Sequence, residues 1–326
     1  MTGVHIRGGG IAALCAQHLL TQAGIPTLLE SKDRPRLPAI LLSDAALHLL
    51  RDVFGKPALF QDLAPLTTRV VAWHRNEPPV ELPHRAIVVS EEQLLSALAS
   101  DSVPPLDPPD WNIYAARPQN VTELQFGTRR AAAALVQLTA DAPLQAFWIE
   151  ALPQGWLFLI PRADRTGWML SVGVPELRDS KLIAPLVQSK LEDAGTFPAY
   201  PRLLESLHGE RWLACGTAAM AFDPICGDGT ANAVREAILA AAVLRAIHRG
   251  LPAGPLLEHY TSRLLSGFAR HLVFTRDFYL SGERGNWWVN ELDGLQSGLA
   301  WCRAQLGAVP EYNFRLDGFD LYPINQ

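Results

Sequence analysis

Two clusters of small residues, far apart in one chain, have the types and spacing that hold anions and flat rings. Residues 4–30, VHIRGGGIAALCAQHLLTQAGIPTLLE, place Gly8, Gly10 and Ala13 in a G-x-G-x-x-A spacing. The first glycine permits a tight turn, the second lets backbone approach a pyrophosphate, and Ala13 lets a helix pack closely on a strand. Ile11 opens that helix, whose free N–H groups and dipole favour phosphate. Glu30, twenty residues past Gly10, is placed to accept hydrogen bonds from a ribose. The second cluster is CGTAAMAFDPICGDGTANAV, residues 215–234, a loop with two acids, a proline and two cysteines that runs into a helix. Gly227 and Gly229 leave N–H groups uncovered at the positive end of that helix, and Thr230 is its expected cap. Donors at Gly229, Thr230 and Ala231 suit a flat electron sink that becomes negative on reduction, as an isoalloxazine does near N1 and the C2 oxygen.

The elements that must position these loops follow from pattern. Val4–Arg7 reads as a strand, Ile11–Ala23 as a helix closed by Gly24, and Ile25–Leu29 as a second strand, which together make one βαβ unit. The glycine motif alone serves NAD(P) and FAD equally. A simple NAD dehydrogenase would continue with regular βα units, and here they are absent. Instead the spacing predicts a helix over Leu41–Phe54, strands at Arg69–Trp73 and Ala86–Val89, and a helix over Glu91–Ala99. Ser102–Trp111 holds four prolines in ten residues and reads as a stiff connection. The alanine-rich run Ala131–Leu138 reads as a helix. Gln145–Pro161 and Trp168–Val174 read as antiparallel strands, with Trp148, Trp156, Phe158 and Trp168 giving an aromatic surface; taken singly each is strand core, and together they line a site for a flat substrate. Arg211–Cys215 is a strand, and Thr230–Arg249 is a helix with apolar residues at Val234, Ile238, Leu239, Ala242, Leu244 and Ile247.

Composition narrows the class. The chain has 326 residues, 48% hydrophobic, with a formal charge of −5, which fits a soluble protein with a large core. No apolar run of about 18 residues and no basic leader with a cleavage site is seen, so a cytoplasmic protein without a membrane partner is expected. Lys and Arg are dispersed, which gives no nucleic-acid footprint. The four cysteines are scattered without a CxxC pair, so neither a structural metal site nor a disulfide framework is expected.

Taken together, G-x-G-x-x-A near the start and DPICGDGTANAVREA before a long helix resemble the FAD-dependent aromatic hydroxylase and flavin-dependent halogenase superfamily. FGTRR (126–130) is similar to that family's second glycine motif, GWLFLIP (155–161) to the halogenase W-x-W-x-I-P segment, and YTSRLLSGFARHLVFTRDFYLSGERGNWW (260–288) to its C-terminal helices. The second loop looks closest to flavoproteins that hydroxylate a peptidyl tryptophan in tryptophylquinone maturation.

The resemblance implies an α/β (α+β) protein: a Rossmann-type FAD-binding domain, an inserted, mostly antiparallel β substrate domain and a C-terminal helical region. The expected division gives 1–70, 90–140 and 205–250 to the first, 71–89 and 141–204 to the second, and 251–326 to the third. FAD is the implied cofactor, with Arg129, Thr217, Asp223 and Pro224 added to its contacts. Trp156 and Phe158 are the implied substrate contacts. Asp228 is a candidate to deprotonate or orient an indole or phenol, and Cys226 to lie against the flavin; a helix cap and simple packing are the plain alternatives. His271 and Tyr279 share a helix face, with a structural histidine as the plain reading. The implied activity is monooxygenation of an electron-rich ring, free or on a peptide or protein, through a flavin C4a-hydroperoxide, with NAD(P)H or a flavin reductase as electron donor.

Several positions depart from the family pattern. Thr217 stands where Asp is usual after Gly216, Glu91-Glu92 stand where an Arg is common, and Gln125-Phe126 replace an acid before Gly127. Phe158 replaces the second tryptophan of the halogenase segment, and no lysine for oxidised halogen is found. Halogenase-like chemistry, a reductase of the same fold and a non-catalytic flavin-binding partner are therefore the alternatives.

Overall fold

A computed structural model describes residues 2–31, 34–74, 77–99, 107–283, 285–307 and 314–324. The first half of the chain forms β1 (Val4–Arg7), α1 (Ile11–Gln22), β2 (Thr27–Glu30), β3 (Ile40–Ser43), α2 (Asp44–Phe54), β4 (Leu66–Ala72), β5 (Val80–Val89), α3 (Glu91–Leu98), β6 (Trp111–Tyr114), β7 (Glu123–Gln125), β8 (Arg130–Leu138), β9 (Ala146–Leu152) and β10 (Gly155–Pro161). The second half forms β11 (Thr166–Gly173), β12 (Val187–Pro198), β13 (Arg202–Leu204), β14 (His208–Gly209), β15 (Trp212–Ala214), β16 (Met220–Ala221), α4 (Gly229–His248), α5 (Ala253–Ser281), α6 (Asn286–Leu306), β17 (Phe314–Asp317) and β18 (Asp320–Pro323). The start of the proline-rich connection, residues 102–106, and Arg284 of the C-terminal resemblance lie outside the described residues.

One sheet runs β14-β15-β6-β1-β2, with β15, β6, β1 and β2 parallel. Parallel neighbours need a crossover, and α1 supplies it between β1 and β2. Val4 and Ile6 are fully buried beneath it. A second sheet runs β12-β8-β11-β10-β9-β4-β5-β3 and is antiparallel throughout except where β4 pairs with β9. The strands of the second sheet come from 40–43, 66–89 and 130–198, so its chain segments interleave with those of the parallel sheet.

The strand β10 explains why GWLFLIP reads as a continuous apolar run. Successive side chains point to opposite faces, and both faces are covered: Trp156 joins the cluster under α5 and α6, while Leu157 and Leu159 join Trp148 and Val136 on the other side. Trp288 of α6 closes the first face, its indole N–H donating to the Leu152 carbonyl at 3.0 Å.

Four expectations are corrected. Residues 131–138 are the strand β8, not a helix: alanine favours helices by intrinsic propensity, but here small side chains lie opposite large ones, Ala133 facing Leu170 and Ala134 facing Met169 in the ladder with β11. The helix expected from Leu41 starts only at Asp44, because Ser43 is its cap and accepts from the Ala46 N–H at 3.2 Å; Leu41 and Leu42 belong to β3. Thr230 does not cap α4, which begins one residue earlier at Gly229 after Asp228, with no side chain bonded to its first turn. The C-terminal region, expected to be helical, contains α5 and α6 and then the β17–β18 hairpin, which Arg245 ties to α4 through Asp320 (3.0 and 2.7 Å).

Candidate dinucleotide and ring site

The turn after β1 is built by a close crossing. Gly8 has φ +142°, and a Cβ there would lie 2.7 Å from the Ala115 carbonyl carbon, so only glycine lets the chain pass the end of β6. Gly10 is the N-cap of α1 and uses no side chain to bond the first turn; intrahelical bonding begins with the Leu14 N–H to the Gly10 carbonyl at 3.2 Å, so the N–H groups of residues 11–13 are left for a ligand. Ala13 is fully buried on the side of α1 that faces the core. Glu30 at the end of β2 is half exposed, with His5 Nε2 3.0 Å from its carboxylate and Arg7 Nε at 4.0 Å.

Above this turn lies a charged pair that the sequence does not reveal. Glu91, at the start of α3, is almost wholly buried and accepts both ends of the Arg34 guanidinium, one at 2.9 Å, together with the Leu37 N–H at 3.0 Å. Burial works against the Glu91 charge; Arg34, the Leu37 N–H and Arg36 outweigh it and hold the carboxyl below its ordinary value. A Cβ placed on Gly10 would meet Arg34 Nη2 first, at 3.4 Å. Arg36 donates from Nη1 to the Gly9 carbonyl at 2.8 Å.

The second loop is brought to the first by Gly216. Its φ is +62°, and a Cβ there would fall 2.7 Å from Cβ of Ala12 and 3.9 Å from Cβ of Ala233. The first turn of α1 and the second turn of α4 therefore approach each other across one glycine, and beside this crossing the Cys15 thiol lies 3.8 Å from the Val234 carbonyl. Thr217 is exposed, as are Gly227 and Gly229. A Cβ on Gly227 or Gly229 would have no atom within 4 Å, so the positive end of α4 is open. Thr230 sits within this turn and Ala231 is buried behind it. Asp228 accepts from Arg235 Nη1 at 2.8 Å. Cys226 is exposed as a residue, yet its thiol is packed 3.8 Å from the Thr275 hydroxyl. That burial of the sulfur, helped by the negative charge of Asp223, pushes the thiol up to about 12, and it carries its proton at neutral pH.

Behind the loop lies a buried polar assembly. Asp223 accepts from Arg129 Nε at 2.6 Å, from the Tyr279 hydroxyl at 2.8 Å and from the Ile225 N–H at 2.8 Å, the last closing the short turn that includes Pro224. Its own N–H donates to His271 Nε2 at 2.8 Å. Arg129 also bonds Glu291 of α6, which accepts from the Thr128 N–H and hydroxyl. Burial opposes the Arg129 charge, but Tyr279, Asp223 and Glu291 more than offset it, and its pKa ends above the ordinary arginine value. Burial, with Arg129 nearby, lowers His271 to about 3, so the ring is neutral and accepts. Arg129, through Nε and Nη1, and Asp223 thus hold the loop from behind, while Arg129 Nη2 is buried with no hydrogen-bond partner. His271 and Tyr279 do lie on one face of α5, and both converge on Asp223. Glu291 was missed, because no local pattern marks it.

Trp156 is 1% exposed and donates its indole N–H to Tyr279 at 3.0 Å, within a cluster with Trp73. It is placed in the interior, whereas Phe158 is half-buried, edge-on to Phe147. Among the described residues no group of His, Cys, Asp and Glu is arranged to hold a metal, and no helix is long and apolar enough to cross a membrane.

No family model and no curated protein matches the chain. Solved structures do. The peptidyl tryptophan dihydroxylase QhpG, essential for tryptophylquinone cofactor biogenesis, aligns with a TM-score of 0.75 at 21% identity over 89% of this chain and 78% of its own. The flavin-dependent halogenase CmlS gives 0.74 at 17%, over 94% and 71% of the two chains. The myxobacterial chondrochloren halogenase CndH gives 0.76 at 13%, over 94% and 90%. This chain therefore has the fold of the FAD-dependent aromatic hydroxylase and halogenase superfamily.

Proposed function

We propose that the protein is an FAD-dependent monooxygenase that hydroxylates an electron-rich aromatic ring, with a tryptophan side chain in a peptide or protein as the preferred substrate class. The observation that carries this reading is the packing of α1 and α4 near their N-terminal ends at Gly216, α1 starting after a dinucleotide turn and α4 open at Gly227 and Gly229. The residues fit FAD. The first turn of α1 would take the pyrophosphate, Glu30 the ribose, Thr217 the ribityl chain by its exposed hydroxyl, and Gly229 to Ala231 the negative side of the reduced ring.

Bound and reduced, the flavin would supply the electrons for oxygen activation. The chain's own work is positional. Free N–H groups of α4 would stabilise negative charge on the ring edge without rearranging. The Cys226 thiol, protonated at neutral pH, would present a small uncharged surface beside it. Asp228 would be held by Arg235 as an orienting acceptor. Arg129, Asp223, Tyr279 and His271 would keep this loop fixed from its buried side, which preserves the geometry that transfer to a ring requires.

QhpG is a peptidyl tryptophan dihydroxylase, and likeness to it supports the substrate class proposed here. An electron donor, either NAD(P)H or a separate flavin reductase, completes the proposal. The test is single turnover: FAD-loaded protein, reduced without air, is mixed with isotopically labelled oxygen and a panel of tryptophan peptides, free indoles and phenols. Label incorporated into a peptide tryptophan supports the whole reading. Label only in small phenols or indoles overturns the peptide substrate, and reduced flavin that reoxidises with no labelled product from any ring overturns monooxygenation.

A further inference from the structure

We propose that Arg34 is the cation that contacts the pyrophosphate of the bound dinucleotide, and that Glu91 is the positioning residue that aims it. This rests on the FAD reading and deepens it. The carboxylate of Glu91 stands close to a turn built for an anion, which by itself would be unfavourable. Its surroundings resolve the conflict: the acid is buried, while the Arg34 side chain it holds is 43% exposed, with Nη2 3.4 Å from where a Cβ on Gly10 would lie.

The donor count makes the case concrete. A guanidinium has five N–H groups in a fixed fork. Arg34 commits Nη1 to the Pro35 carbonyl at 3.0 Å and to Glu91 at 2.9 Å, and one Nη2 hydrogen to the other Glu91 oxygen. The Nε hydrogen and the second Nη2 hydrogen remain, and Nη2 is the atom nearest the point where a side chain on Gly10 would begin. Glu91 is committed on both oxygens, to Arg34 and to the Leu37 N–H. Its α3 backbone is in turn tied to the same loop, since the Glu91 N–H donates to the Leu37 carbonyl at 2.9 Å. The loop from residue 34 to residue 37 is therefore clamped by one acid, and its arginine is pre-oriented at the first turn of α1. Arg36, bonded to the Gly9 carbonyl, adds a second guanidinium beside the turn. Bidentate pairing fixes a guanidinium in plane, which lysine at 34 would not reproduce.

The experiment measures FAD and riboflavin dissociation constants by quenching of flavin fluorescence at several salt concentrations, with circular dichroism to check folding. The variants are Arg34→Gln, Arg34→Lys, Glu91→Gln and the double variant Arg34→Gln/Glu91→Arg. The expected result is an FAD affinity about tenfold or more weaker in Arg34→Gln, with a smaller loss in Arg34→Lys, a loss in Glu91→Gln and partial recovery in the double variant. The salt dependence of FAD binding should also be shallower in Arg34→Gln, and riboflavin, which has no phosphate, should bind all four variants as it binds the wild type. Unchanged FAD affinity in folded Arg34→Gln overturns the proposal while leaving the FAD reading intact. Tighter FAD binding in Glu91→Gln also overturns it, because the acid would then only repel. A wild-type protein that binds no FAD overturns both.

Discussion

Arg129→Met probes the buried assembly behind the ring loop. The wild-type guanidinium has no exposed surface and lies between two carboxylates that are equally buried, Asp223 and Glu291. Methionine keeps most of the volume but removes the one cation that, among the described residues, pairs with Asp223 and Glu291. Breaking a buried pair by deleting one partner costs about 3–5 kcal/mol. Two acids are stranded here, and the Tyr279 and Thr128 hydroxyls that donate to them soften the loss. An expected destabilisation of about 4 kcal/mol at pH 7 follows. Urea unfolding followed by circular dichroism at pH 7 measures the loss. A loss under about 1 kcal/mol would refute the argument that Arg129 is the charge partner of both acids.

Other predictions concern the same region. His271 is neutral in the folded state with its pKa lowered to about 3 by burial. Its contribution is therefore complete above the ordinary histidine value near 6.5 and is lost as the pH falls toward 3, at about 1.4 kcal/mol per unit. His271→Gln should flatten the acid side of the stability profile, and an unchanged slope between pH 6 and pH 4 would contradict this. Gly216→Ala places a Cβ 2.7 Å from Ala12 at φ +62°. It should cost about 1–3 kcal/mol in urea unfolding and weaken FAD binding by parting α1 from α4; a neutral effect on both would remove Gly216 from the account. Trp156→Phe removes the indole N–H donated to Tyr279 and should cost about 1–2 kcal/mol, with no change in FAD affinity because Trp156 is interior.

What was legible in the sequence was local. The turn at Gly8 to Gly10, the helix that follows and Glu30 all lie within one βαβ unit, and α4 with its open first turn is marked by its own glycines. Residues 131–138 misled because alanine carries the helix signal without the burial alternation that only the neighbouring strands define. The assembly around Asp223 was illegible for a different reason: Arg129 is 94 residues from Asp223 and 162 from Glu291, and no spacing rule reaches that far. Glu91 is similar. Alone it is an acid where a base is expected, and only the fold brings Arg34, 57 residues earlier, onto it.

The central claim is that the first turns of α1 and α4 form one FAD surface. Titration of the flavin-free protein with FAD, followed by the visible absorption bands, tests it most directly when wild type and Gly229→Trp are compared, because among the described residues no atom lies within 4 Å of a Cβ placed at 229. The account predicts saturable binding with shifted flavin bands in the wild type, and a folded Gly229→Trp that does not produce the shift. A wild type that leaves the FAD spectrum unchanged, or a Gly229→Trp variant that binds as well as the wild type, would contradict it.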